Sequence, residues 1–431
     1  MEKMRSHVRQ RATTPAQRRK SMNFMHKLAS VALVSLALTG PVSAQDASTV
    51  KLALIDGQSG PNGFIGESMR QHLQFFAERQ NAAGGVAGGK KLDVIAFDNK
   101  FDPQETIVQL QKAIDAGARY VFHGNSSAVG AAIVDFLEKH NRRNPEQSVL
   151  YINFAALDPV LTNEKCSFWH FRFDADVNIR TAAITNQIKN DPSIKKVYLF
   201  NQDYSFGKAV RTAATQMLKE KRPDIQIVGD ELIPLQKVTD FTPYIAKIRA
   251  TGADAVISAN WGNDLNQLVK TGGELGLPVK WFTYFANGEG GVTALGAAGV
   301  GRVFAVSEWH MNVPNPTTEK MADEFGKKYN RDMFFYRLDT VIAMLARSMN
   351  EAKTVDPKAV AEKLETMTYK TPLGDTYVRA TDHQFYQPLY VSVMADDVPK
   401  KLEKTPFGFK TVGMSAAKET EVPTTCKMRR P

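Results

Sequence analysis

Ser126 and Ser127 stand where hydroxyl and amide donors could be turned to chemistry. They follow an apolar tetrad, Tyr120-Val121-Phe122-His123, and a short turn, Gly124-Asn125. They precede a run over residues 128–140 whose apolar positions recur at helical spacing. A strand entering a helix through such a turn exposes the helix's first N–H groups, which have no intrahelical partner and carry partial positive charge. With two hydroxyls beside them, they make a seat for a carboxylate. Ser126 or Ser127 can also be an ordinary helix cap, and the loop taken alone favours that role. A second strand end reads Asn153-Phe154-Ala155-Ala156-Leu157-Asp158-Pro159, where small residues let a solute approach backbone groups. A third set is aromatic: Phe64, Tyr204, Phe206, Trp261, Tyr284 and Phe285. Those in the second half sit at or just after strand-like runs. They suit either a plain core or a wall for a flat, greasy body.

Nothing comparable assembles for catalysis. Gly84-Gly85-Val86-Ala87-Gly88-Gly89-Lys90-Lys91 nearly spells a phosphate loop, but Lys91 stands where Ser or Thr must hold magnesium. A helical run precedes it and a strand-like run follows, the reverse of what cradles phosphate. Gly124-Asn125-Ser126-Ser127-Ala128 lacks the second glycine of a nucleophile elbow. His72, His123, His140, His170, His310 and His383 are scattered, with no metal-ligand spacing. The expectation is a chain without enzyme activity, cofactor or metal.

The elements that must position these residues alternate. Strand-like runs at 50–56, 91–97, 120–123 and 149–154 are separated by helical runs at 66–82, 104–116 and 128–140. The pattern resumes with helical 179–189, 207–220, 241–250 and 264–276 between strand-like 196–200, 225–232, 255–259 and 280–285. Strand and helix in alternation imply parallel sheets with helices on both faces. Two such series, parting near residue 170, predict an α/β chain of two Rossmann-like, doubly wound lobes. Helical runs at 338–353 and 357–367 and strand-like runs at 377–379 and 389–394 come last.

Of 431 residues, 55 are Lys or Arg and 45 Asp or Glu, a formal charge of +10. The excess is concentrated in residues 1–44, which hold Lys3, Arg5, Arg9, Arg11, Arg18, Arg19, Lys20 and Lys27 against Glu2. The rest is nearly balanced, which removes the case for nucleic acid. Behind Lys27 lies a short apolar run, 28–39, closed by Gly40-Pro41 and then Val42-Ser43-Ala44. Basic, apolar, small is the order of a secretory signal cut after Ala44. The run is shorter than the roughly 20 residues a bilayer span needs. Cys166 and Cys426 are the two cysteines. In an exported chain an even count favours one disulfide, here closing a long loop and pinning the tail, with free buried thiols as the alternative.

From about Val50 to about Phe385 the chain resembles the type I periplasmic substrate-binding proteins of branched-chain amino acid (leucine/isoleucine/valine) ABC transporters. The resemblance rests on Ser59-Gly60-Pro61, on residues 81–92, on Asp98 followed by Asp102-Pro103, on the Ser126-Ser127 loop, on Ala155-Ala156 and on Tyr204-Ser205-Phe206-Gly207. It implies two lobes joined by a three-segment hinge, expected near residues 171–176, 304–310 and 372–377. The first lobe is then 48–172 and 306–372, the second 173–305 and 373–415, with a signal at 1–44 and a tail at 416–431. It implies a periplasmic monomer, without nucleic-acid partners, that captures a small ligand by hinge closure and docks on an inner-membrane ABC permease. The ligand carboxylate falls to Ser126 or Ser127 and to Ala155 and Leu157, with Ala156 also at the ligand. The family's threonine aligns with Leu157 and its ammonium-binding glutamate with Phe285, so both polar groups are apolar here. An unpaired buried ammonium costs several kcal/mol. The departure therefore predicts a carboxylate with an apolar or aromatic body and no amine. Phe64, Phe206, Trp261, Tyr284 and Phe285 would line it, with Tyr204 beside them. A branched-chain or other apolar amino acid, or an amide or urea-type ligand, is the alternative; Asp203 and Glu289 are then the candidates for the missing acid.

Overall fold

A computed structural model describes residues 48–431; the expected signal and its cleavage site lie outside the described residues. The chain opens with β1 (Thr49–Asp56), α1 (Gly63–Ala82), β2 (Lys91–Asp98), α2 (Pro103–Asp115), β3 (Tyr120–His123), α3 (Ser127–Arg143), β4 (Leu150–Asn153) and β5 (His170–Arg172). β1 lies between β2 and β3, and its Leu52, Ala53, Leu54 and Ile55 are buried on both faces. A strand covered by helices on both sides reads as a continuous apolar run for this reason. α2 starts where it does because Asp102 Oδ1 accepts the Gln104 and Glu105 amides at 2.8 Å, with Pro103 at the first helical position.

After β5 the chain crosses over. α4 (Val177–Lys189), β6 (Lys196–Gln202), α5 (Ser205–Lys221), β7 (Gln226–Ile233), α6 (Thr242–Thr251), β8 (Ala255–Ser258), α7 (Gly262–Glu274), β9 (Lys280–Thr283), α8 (Gly291–Leu295) and β10 (Val303–Ser307) build a second sheet. The chain then returns through α9 (Pro316–Tyr329), α10 (Arg337–Ala352), α11 (Pro357–Leu364), β11 (Thr368–Thr371), β12 (Gly374–Arg379) and β13 (Gln384–Tyr386). It crosses a third time into β14 (Leu389–Ala395) and β15 (Gly408–Ser415). Among the described residues one sheet has the order β11-β12-β13-β5-β4-β3-β1-β2 and the other β15-β14-β10-β9-β8-β6-β7. Both are parallel at the centre. The antiparallel pairs lie toward one edge of each sheet, β11–β12–β13 in one and β10–β14–β15 in the other.

The third crossing falls between Tyr386 and Leu389, not at residues 372–377. β12 pairs antiparallel with β11 and β13, and β13 pairs with β5, so residues 373–386 belong to the first sheet. The first and third crossings are stitched together inside the protein. Arg172 Nε donates to Gln384 Oε1 at 2.6 Å, and Gln384 Nε2 donates to the Asp174 carbonyl at 2.8 Å. Asp174 in turn receives Arg180 on both carboxylate oxygens, at 2.7 and 3.0 Å.

Beyond β15 the tail leaves the second sheet and returns to the first lobe. Arg379 donates to the Val422 carbonyl, Thr425 N–H donates to Asn163 Oδ1, and Cys426 is bonded to Cys166. The expected pairing of the two cysteines is therefore present.

Candidate functional site

Between the two sheets, at the carboxyl ends of their strands, lies a cavity. It leaves about 100 Å³ open to the centre of a water molecule. One water needs about 10–15 Å³ by this measure, so the space admits a solute of several heavy atoms.

The first wall is the turn between β3 and α3. Asp56, buried at the end of β1, accepts Gly57 N–H on Oδ1 at 3.0 Å and Gly124 N–H and Asn125 N–H on Oδ2 at 2.9 and 3.1 Å. That grip fixes the turn. Burial raises the Asp56 pKa; His123 and the three amides oppose it. Ser126 is held at φ +76°, a region that costs a non-glycine residue about 1 kcal/mol or more. Its side chain caps nothing, so the helix-cap alternative for Ser126 does not describe this turn. Ser127 Oγ accepts Asp158 N–H at 3.1 Å, which leaves its own O–H proton to donate. Asp56 was not singled out from sequence. Its signal was an acid ending an otherwise apolar strand.

The strand end after β4 behaves differently from expectation at one residue. Asn153 Oδ1 accepts Ala155 and Ala156 N–H at 3.2 and 2.8 Å, and its Nδ2 donates to the Ala156 carbonyl at 2.9 Å. The resulting turn aims Ala155 and Leu157 at the cavity and packs Ala156 into the core beside Gly130. Phe64 likewise lies outside this wall: it lines the outer groove next to Gly290. Ser126, Ser127, Ala155, Leu157, Tyr204, Phe206, Trp261, Tyr284 and Phe285 do line the cavity.

The second wall is aromatic. Phe206 meets Tyr284 edge-on at 6.0 Å and Phe285 at 6.0 Å. Trp261 Nε1 donates to Tyr204 Oη at 2.8 Å, satisfying the indole while leaving its faces to pack. The Arg180 guanidinium lies 5.5 Å from the centre of the Phe285 ring.

The floor is ionic, and nothing local in the sequence marked it. Arg180 is 1% exposed and Arg337 6% exposed. Arg337 Nη2 reaches Glu308 at 2.7 Å and Asp174 at 3.4 Å. Two cations thus face two carboxylates, and the floor has no net charge to attract an anion. Two buried donors on the cavity residues lack partners: Trp309 Nε1 and Arg337 Nε. Of the candidate acids, Asp203 is not among the residues that line the cavity; it is half exposed and paired with Lys208 at 3.0 Å. Glu289 lines the cavity, with Oε1 3.3 Å from Arg331 Nε and Oε2 buried without a partner. Burial raises the Glu289 pKa, helped by the nearby Glu403 and Asp332 and opposed by the adjacent Ser68 hydroxyl, itself without a hydrogen bond of good geometry, and by Arg331. Among the described residues no group of His, Cys, Asp and Glu is arranged to hold a metal ion.

Two lobes of this topology closing on one interlobe cavity define a solute-clamping protein. The family described as "Periplasmic binding protein" matches residues 49–398, and the chain belongs to it. The family is a non-enzymatic component of transport. The chain is 30% identical over 412 residues to "Leu/Ile/Val-binding protein homolog 4" of Brucella abortus (strain 2308), covering 94% of this chain and 98% of that one. A crystal structure of a leucine-, isoleucine-, valine-, threonine- and alanine-binding protein from Brucella ovis, in a closed conformation, superposes with TM-score 0.81 at 28% identity, covering 89% of this chain and 100% of that one. An ABC-transporter solute-binding protein from R. palustris in complex with benzoate has the same fold, with TM-score 0.75 at 18% identity over 88% and 99% of the two chains. Among the described residues no helix is long and apolar enough to cross a membrane.

Proposed function

We propose that this chain is a periplasmic receptor that captures a small carboxylate with an apolar or aromatic body and delivers it to an inner-membrane ABC permease. The observation that carries this reading is the juxtaposition, in one cavity, of the serine turn opening α3 with the aromatic wall of the other lobe. The free N–H groups of α3 and the Ser127 hydroxyl serve the carboxylate, because the balanced floor does not. Tyr204, Phe206, Trp261, Tyr284 and Phe285 take the body. Closing the lobes over a solute that touches both shifts an open–closed equilibrium toward closed.

A second reading is favoured by one specific group. Glu289 Oε2 is a buried acceptor without a partner at the cavity, which suits an ammonium. A zwitterion also matches a site with no net charge, and the names of the Brucella relatives point to amino acids, leucine, isoleucine and valine among them. Calorimetry decides between the two. Leucine and phenylalanine are compared with 4-methylpentanoate, 3-phenylpropanoate and benzoate. If the des-amino acids bind and the amino acids do not, the first reading stands. If the amino acids bind and Glu289→Gln abolishes that preference, the second replaces it.

Ser127→Ala is expected to weaken binding of whichever carboxylate is captured by tenfold or more. A charge-assisted hydrogen bond is worth roughly 1.5–3 kcal/mol. The ligand-free fold should survive. Unchanged affinity would remove the serine turn from the site.

A further inference from the structure

Helix α7 begins beside the cavity without a cap of its own. Its N-cap residue is Trp261, whose indole N–H can only donate and so cannot accept a helix amide; it donates to Tyr204 instead. The second helical amide, Asn263 N–H, is the one a capping side chain normally takes. It is taken at 2.9 Å by Oδ1 of Asn62, which belongs to the other lobe. Asn62 stands at the N-cap of α1, yet its side chain does not cap α1. It is completely buried. The fit around it is tight: Gly262 has φ +59°, and a Cβ there would lie 2.6–2.8 Å from three atoms of the Asn62 amide group. Phe101 of the first lobe meets Trp261 alongside, with ring centres 5.9 Å apart.

We infer that Asn62 is the closure latch of the receptor: it supplies in trans, only when the lobes meet, the N-cap that α7 lacks, and Gly262 is the residue that lets it in. The inference rests on the hinge-closing reading above. It goes beyond it in assigning affinity to a residue outside the cavity wall. When the lobes part, Asn263 N–H and the Asn62 amide return to water, so the bond contributes to the closed state alone. It then adds the same amount to the binding of every ligand that needs closure, whatever that ligand's chemistry.

The test uses Asn62→Ala, Asn62→Asp and Gly262→Ala in the full chain, with leucine and benzoate as probes. A lost cap of ordinary strength is expected to weaken Asn62→Ala about fivefold for any probe that binds. Its ligand-free melting temperature should be unchanged, and Asn62→Asp, which keeps the acceptor oxygen, should restore affinity. Gly262→Ala should weaken binding more than Asn62→Ala does. A lowered ligand-free melting temperature with unchanged affinity would make Asn62 a structural residue and overturn the latch. So would a loss confined to one of two binding probes. If neither probe binds the wild type, the ligand reading fails and the latch is tested with whichever solute of a wider amino-acid and carboxylate panel raises the wild-type melting temperature. With a solute bound, exchange of the Asn263 amide should be faster in Asn62→Ala than in wild type; equal exchange would overturn the latch.

Discussion

Acid should unfold this protein in the range between pH 6.5 and about 3, with His72 as a main cause. His72 is fully buried in α1, between the rings of Phe325 and Phe335 at 4.1 and 5.2 Å. Its Nδ1 lies 2.7 Å from the Ser68 carbonyl, which can only accept, so Nδ1 carries the proton. Its Nε2 lies 2.9 Å from Phe334 N–H, which can only donate, so Nε2 must stay bare. Burial pushes the His72 pKa down from 6.5 to about 3. For a histidine lowered in the folded state, the stabilisation is complete above the unfolded value of 6.5. It is lost as the pH falls toward the folded value, on the order of 4 kcal/mol by pH 3. His310, lowered to about 4 with Nδ1 accepting Asn312 N–H, acts in the same direction. Urea unfolding at pH 7.5, 5.5 and 4 measures the slope. His72→Asn should lower stability at pH 7.5, where a buried hydrogen bond is lost, and flatten the acid limb. An acid limb identical to that of wild type would acquit His72. Phe334 and Phe335 line the cavity, so bound ligand should be released over the same range.

Arg180→Met is expected to cost about 3–5 kcal/mol, because it leaves two buried carboxylates, Asp174 and Glu308, to the single guanidinium of Arg337. Arg180 holds both oxygens of Asp174 and also donates to the carbonyls of Tyr284 and Val306. It thereby ties the first crossing to the ends of β9 and β10. The exposed pair Lys195–Asp224 provides the contrast: Lys195→Met should leave the unfolding midpoint nearly unchanged. The decisive variant is Arg180→Met with Asp174→Leu. That change removes one cation and one anion and leaves Arg337 paired with Glu308 at 2.7 Å, so no lone charge remains. It should recover much of the loss in denaturant unfolding. A double variant as unstable as the sum of the two single changes would show that the hydrogen bonds, and not the stranded charge, carry the cost.

The sequence made the alternation of β and α legible because both faces of a parallel sheet are covered, and the apolar runs of β1, β3 and β4 follow from that burial. The serine turn was legible as a strand end meeting a helix start. Residues 374–386 were not, since an edge hairpin has no run of its own to declare which sheet it joins. Their assignment depends on the contact of β13 with β5, more than 200 residues away in the chain. Ala156 was expected at the ligand as a small residue at a strand end, but the side chain of Asn153 sets a turn that faces Ala155 and Leu157 to the cavity and Ala156 to the core. The ionic floor was illegible for a related reason. Arg180, Asp174, Glu308 and Arg337 come from both lobes and meet only when all three crossings are in place.

The covalent link between Cys166 and Cys426 turns most of the chain into a ring. Its two ends lie 260 positions apart in sequence, and everything from α4 to β15 is inside. A protease that cuts any one peptide bond between those positions opens the ring without freeing a fragment. Singly nicked protein should therefore migrate as one chain in denaturing electrophoresis and separate into two pieces only after reduction. In the native state, both sheets and the cavity between them would remain tethered through such a cut.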